Sequence, residues 1–191
     1  MIGRKLEQVF PPKPAPTTPP PTHLEVKDLS WENTLHNVSL KVGKGEIVGL
    51  GGLDGQGQSE ILFALFGLLR GLRGQILIDG EPKTINNPVA AGRAGIDMAL
   101  IPEDRKTEGL ILPMSVGSNA TLAVIDRVAS FGMISPRQER AAVQQVIDQM
   151  RVKTASPRTP VRDLSGGNQQ KVVIGKWLLT QARIYLLHDP T

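Results

Sequence analysis

Three short stretches hold residue types whose spacing could do chemistry on phosphates. The first is Gly52-Leu53-Asp54-Gly55-Gln56-Gly57-Gln58-Ser59. It follows G-x-x-x-x-G-K-[ST], the phosphate-loop pattern, at every position but one. Glycines let backbone amides turn inward around phosphate oxygens, and a helix opening at Ser59 adds its positive dipole end. Ser59 also brings the hydroxyl expected to ligate Mg²⁺. Gln58 stands at the lysine position, where a cation normally neutralises phosphate charge. A cation ~4 Å from a phosphate oxygen is worth roughly 4 kcal/mol at an effective dielectric near 20. An amide keeps a hydrogen bond and loses most of that attraction, and Glu60 adds a negative charge beside it. An ordinary Gly-rich turn is the competing reading of this loop.

The second stretch is Leu164-Ser165-Gly166-Gly167-Asn168-Gln169-Gln170-Lys171. A serine and two glycines opening a helix make another anion site, able to hold a γ-phosphate from outside. The third is the strand Ile184–Leu187 running into His188-Asp189-Pro190-Thr191.

Elements must position these residues. Leu24–Leu29 and Leu35–Val42 alternate as half-buried strands, and Glu46–Leu50 reads as a short buried strand feeding the Gly-rich loop. Ser59–Leu69 reads as a helix apolar nearly all round. Gln75–Ile78, Met98–Ile101 and Arg183–Leu187 read as strands. Ser135–Met150 is the clearest helix, with Ser135 as cap and Pro136 at its first position. Gly167–Thr180 reads as a further helix. Strands alternating with helices predict a layered α/β domain.

The 191 residues suffice for one domain and a tail, and 40% hydrophobic composition excludes global disorder. The absence of cysteine excludes disulfides, thiolate metal sites and a Cys nucleophile. No apolar run approaches the ~18–20 residues of a membrane span, so a soluble, cytosolic protein without direct membrane insertion is expected. The net charge of +4 comes from charges scattered along the chain, whereas nucleic-acid binders cluster theirs, so no nucleic-acid partner is expected. Seven prolines between Pro11 and Pro21 predict an extended linker over residues 1–22.

Together the motifs resemble those of the ATP-binding cassette (ABC) ATPases. LSGGNQQK resembles the family signature, and the end of the chain resembles its Walker B strand with D-E-P-T. The opening MIGRKLEQVFPP, the loop with a non-lysine residue, Ile101-Pro102-Glu103-Asp104-Arg105-Lys106 and the signature look like the second cassette of tandem ATPase subunits from bacterial sugar importers of the ribose, galactose and xylose type. The resemblance implies a P-loop fold with a helical subdomain roughly over 104–165, lacking its C-terminal strands and helices. It also implies ATP and Mg²⁺ as cofactors, a first cassette or second ATPase copy as partner, and a membrane permease at the cytoplasmic face. Ser165, Gly166, Gly167, Asn168 and Gln169 would then cover ATP held by the partner's loop, and Glu103, Asp104 and Arg105 would form the coupling loop, with a solvated charged loop as the plain alternative. Trp31 stands where an aromatic stacks on adenine, or simply packs at a strand end.

His188 replaces the Mg²⁺-serving aspartate and Asp189 the water-polarising glutamate, so no useful hydrolysis is expected at this chain's own loop. Imidazole is a poor ligand for Mg²⁺. His23, His36 and His188 have no metal-ligand spacing in the sequence. Alternatives are a nonfunctional remnant of a truncated gene and a soluble DNA-associated ABC ATPase.

Overall fold

The computed structural model describes residues 20–93, 95–130 and 132–189. Residues 1–19 of the expected linker, and Pro190 and Thr191 at the end of the third motif, lie outside them.

Strand β1 (Thr22–Trp31) pairs antiparallel with β2 (Leu35–Gly43), placing Val26 opposite Leu40. Buried positions along β1 switch from Leu24 and Val26 to Leu29 because the register shifts between Val26 and Leu29. Asp28, at φ 49, takes up the extra residue of this bulge. Helix α1 (Gln58–Leu65) follows, then β3 (Arg73–Ile78) on the other edge of β1 and β4 (Glu81–Lys83) beyond it. The sheet order is β2-β1-β3-β4.

After the short helix α2 (Pro88–Ala91), β5 (Met98–Ile101) pairs parallel with β8 (Ile184–Leu187), Leu100 opposite Leu186. All four β5 residues are buried, as a parallel strand covered on both faces requires. Helix α1 lies in the core shared by both sheets: Leu24, Val26, Ile61, Ala64, Leu65, Ile78, Met98, Leu100 and Leu186 form one apolar cluster. Arg183 ties the two sheets together, 3.2 Å from Asp79 and 3.3 Å from Asp97.

Between β5 and α6 the chain is mainly helical. A π-turn at Arg105–Gly109 leads to α3 (Val116–Thr121), α4 (Ile125–Val128) and the small hairpin β6 (Ala129–Ser130) and β7 (Met133–Ile134). Then come α5 (Pro136–Met150) and α6 (Gly166–Leu178). Val143 and Val146 are the buried face of α5, while Gln144, Gln145 and Asp148 are exposed. A Cβ at Gly175 of α6 would collide with Val146, so the glycine sets how closely the two helices approach.

Three expectations are corrected. Glu46–Leu50 forms no strand, and Ile47 is 93% exposed. A buried strand needs neighbours for its amides and carbonyls. Among the described residues this segment pairs with no sheet, so it has no ladder for its amides and carbonyls. Ser135 stands at the N-cap of α5, yet its side chain makes no capping bond. Helix α1 also ends at Leu65, short of the expected Leu69, because Gly67 turns the chain at φ 76.

Candidate functional site

The Gly-rich loop is held in shape by its own side chains. Gly55 and Gly57 adopt φ 75 and φ 100, the left-handed region that glycine enters freely. Gly57 is buried as the N-cap of α1, and a Cβ there would lie 3.0 Å from Leu35 Cδ2. The Gln58 amide folds back into the loop, where Nε2 donates to Leu53 O at 3.1 Å and crowds Gly52. Gln56 Oε1 accepts from the Leu53 amide at 3.2 Å. Leu53, Asp54 and Gly55 remain exposed, and Glu60 is half-buried in the first turn of α1.

The third motif meets this loop directly. Ser59 Oγ and His188 Nε2 are 2.8 Å apart, 129 positions apart in the chain. The same nitrogen lies 3.4 Å from Glu103 Oε2. The imidazole packs edge-on against Phe63, ring centroids 5.1 Å apart, and its Nδ1 is buried with no hydrogen-bond partner among the described residues. Glu103, expected in a coupling loop, therefore sits beside the phosphate loop, with its side chain 61% exposed. Asp189 is exposed, in a left-handed conformation at φ 37.

Asp104 and Arg105 behave differently. Asp104 caps the π-turn, accepting from the Lys106 amide at 2.8 Å and from Thr107 Oγ1 at 2.9 Å. The Lys106 bond foremost holds its carboxyl below the usual range. Arg105 Nε donates to Gln169 Oε1 at 3.4 Å, and its guanidinium lies against Gly166 at the start of α6.

The signature stretch opens α6. Ser165, Gly166 and Gly167 are exposed, and Ser165 O accepts from the amides of Asn168 and Gln169, both at 2.9 Å. Asn168 spans two partners: Nδ2 donates to Ser165 Oγ and Oδ1 accepts from the Lys153 amide, each at 2.9 Å. Gln169 is buried, and its Nε2 donates to the carbonyls of Val161 and Leu164, each at 3.2 Å. Its side chain is thus committed to the segment that leads into the helix. Trp31 is half-buried against the core and donates its indole N–H to Arg70 O at 2.9 Å.

Sequence reasoning missed Lys176, which anchors the far end of the π-turn. It is buried in α6, and its ammonium donates to Gly109 O at 2.5 Å. A lysine inside an apolar helix face is the signal that could have found it.

Residues 35–191 match the family described as ABC transporter. The chain belongs to the ABC transporter family. Among its relatives, the ribose import ATP-binding protein RbsA 1 of Mesorhizobium japonicum is 55% identical, aligned over all of this chain and 37% of the relative. The ribose import ATP-binding protein RbsA of Geobacillus kaustophilus is 44% identical, over all of this chain and 38% of the relative. The chain spans little more than a third of the length of these relatives. Its fold is similar to that of a structure described as a nucleotide-free ATP-binding cassette from an ABC transporter, with TM-score 0.71 at 18% identity, covering 89% of this chain and 70% of that one. A dimeric cassette in a post-hydrolysis state with ADP and Pi gives TM-score 0.67 at 22% identity, covering 88% and 74%.

Around Ser59 the hydroxyl and the Glu103 carboxylate are hard oxygens of the kind Mg²⁺ takes, whereas the imidazole nitrogen of His188 beside them is not. Among the described residues no helix is long and apolar enough to cross a membrane.

Proposed function

We propose that this chain is the second nucleotide-binding cassette of a sugar-importer ATPase and serves chiefly through its signature. Residues 1–22 act as the linker from a first cassette, and the region around 104–165 as the helical subdomain. Ser165, Gly166 and Gly167 clamp ATP–Mg²⁺ held in the phosphate loop of a first cassette or a second ATPase copy. The chain's own loop binds nucleotide weakly and does not hydrolyse it. Closure passes through the loop after β5 to a membrane permease, with the cassette peripheral at the cytoplasmic face.

The observation that carries this reading is the contrast between the two anion sites. The signature presents exposed, glycine-bearing amides at the start of a 13-residue helix. At the loop, Gln58 is turned inward and His188 holds the Ser59 hydroxyl. The sugar-import reading rests on the names of relatives aligned over the whole chain.

Adding the 191-residue chain to an isolated first cassette of such a subunit tests it. Stimulated ATP turnover, abolished by Gly166→Asp and retained in Gln58→Glu, is the expected result. Stimulation lost in Gln58→Glu but retained in Gly166→Asp would reverse the assignment of the two sites.

A further inference from the structure

A cleft of about 460 Å³ opens beyond the C-terminal end of α1, whose other end carries the Gly-rich loop. That volume suits a small molecule, whose pockets run to about 300–1,000 Å³. The floor is apolar: Leu29, Ile85 and Ile76 are 1%, 5% and 7% exposed, and Leu72 extends it as a half-buried wall. The charged side chains that line the cleft are both cations, Arg70 and Lys83. Lys83 sits across the strand pair from Ile76, with its side chain only 25% exposed. Its ammonium lies 2.7 Å from Glu81 Oε2, but Glu81 is exposed and outside the lining, so that pair is weak and the lysine is open to a second anion. Arg70 is held at the rim because its carbonyl accepts from the Trp31 indole at 2.9 Å. Asn86 Oδ1 accepts from Asn87 Nδ2 at 3.0 Å, which turns the amide of Asn86 to the role of donor.

We propose that this cleft binds a free anionic amphiphile, an aliphatic chain ending in a carboxylate or phosphate. The chain covers Leu29, Leu72, Ile76 and Ile85 and loses its contact with water. The head meets Arg70, Lys83 and the Asn86 amide, and no lining carboxylate repels it. An ammonium head on the same chain would face two like charges. Membrane lipids carry the same chemistry, but the floor is recessed, so a lipid would have to leave its bilayer to reach it. The site goes beyond the nucleotide reading and does not depend on it.

The test titrates the 191-residue chain with decanoate and with decylammonium, read by tryptophan fluorescence, since Trp31 is bonded to the rim residue Arg70. Saturable decanoate binding about tenfold tighter than that of decylammonium is expected, because each exposed ion pair contributes up to about fivefold. Arg70→Gln combined with Lys83→Gln should remove that preference. Thr84→Glu, which sets a carboxylate at an exposed lining position, should weaken decanoate and spare decylammonium. Circular dichroism of each variant should match the parent.

Equal affinity for the two head groups overturns the proposal, since apolar contact alone then drives binding. A decanoate preference unchanged in both variants overturns it too and moves the anion to another surface, the Gly-rich loop first. Absence of saturable decanoate binding overturns it as well. Sedimentation of the chain with phosphatidylglycerol vesicles would in that case assign Arg70 and Lys83 to a lipid surface.

Discussion

Replacing Gln169 by leucine separates two roles for a residue of the signature. If its amide serves a nucleotide from the surface, the fold is indifferent to its loss. The structure instead buries Gln169 and gives Nε2 two acceptors, the carbonyls of Val161 and Leu164 at 3.2 Å. Val161 O keeps the Leu164 amide as a partner, 3.1 Å away, so it is not orphaned. Leu164 O loses the amide, which costs about 1–3 kcal/mol for an unpaired buried acceptor, and less where water reaches the half-buried residue. The second hydrogen bond and the longer one from Arg105 add about 1 kcal/mol. Leucine keeps most of the volume, so packing loss is small. The sum is about 2 kcal/mol, roughly a thirtyfold fall in the folding equilibrium constant. Urea denaturation followed by circular dichroism measures it, with exposed Ser165→Ala as a control expected within about 0.5 kcal/mol of wild type. A Gln169→Leu variant as stable as that control would refute the burial argument.

Gly57→Ala should destabilise the chain by about 1–2 kcal/mol, because φ 100 is strained for any side chain, and a Cβ would press on Leu35; differential scanning calorimetry reads the lowered Tm. Gly175→Ala should cost about 1–3 kcal/mol through its clash with Val146, partly offset by about 1 kcal/mol of helix propensity, and chemical denaturation measures the balance. Burial lowers the pKa of Lys176 from its ordinary 10.5, so the unfolded chain binds its proton more readily than the folded one. Stability from this group should therefore rise as pH climbs from the lowered value toward 10.5, and urea midpoints across that window should lose this rise in Lys176→Met.

Much of the architecture is local in origin and so is legible in the chain. Alternation in Leu24–Leu29 and Leu35–Val42, the apolar run Met98–Ile101 and the helical spacing of Ser135–Met150 each carry their own periodicity. Gly55 and Gly57 of the phosphate loop are equally readable, since backbone conformation near φ 75 or φ 100 asks for that residue type whatever surrounds it. Glu46–Leu50 shows the limit of such reading. Its apolar residues suit a buried strand, but a strand exists only where a neighbour takes up its hydrogen bonds, and that is a property of the sheet.

The sequence by itself determined the family, the order of the motifs and the residue types at Gln58, His188 and Asp189. Only tertiary structure decided what those residues touch. Ser59 and His188 lie 129 positions apart and meet because β8 pairs with β5 beside α1, which brings the end of one strand to the start of one helix. Glu103 joins them from the end of β5, 3.4 Å from the same imidazole nitrogen. Gln169, expected to cover ATP held by a partner, is buried because Val161 and Leu164 fold over the first turn of α6 and their carbonyls accept from its Nε2. Spacing along a chain records which groups are available, and the distance between them is set by packing of elements that the local pattern does not encode.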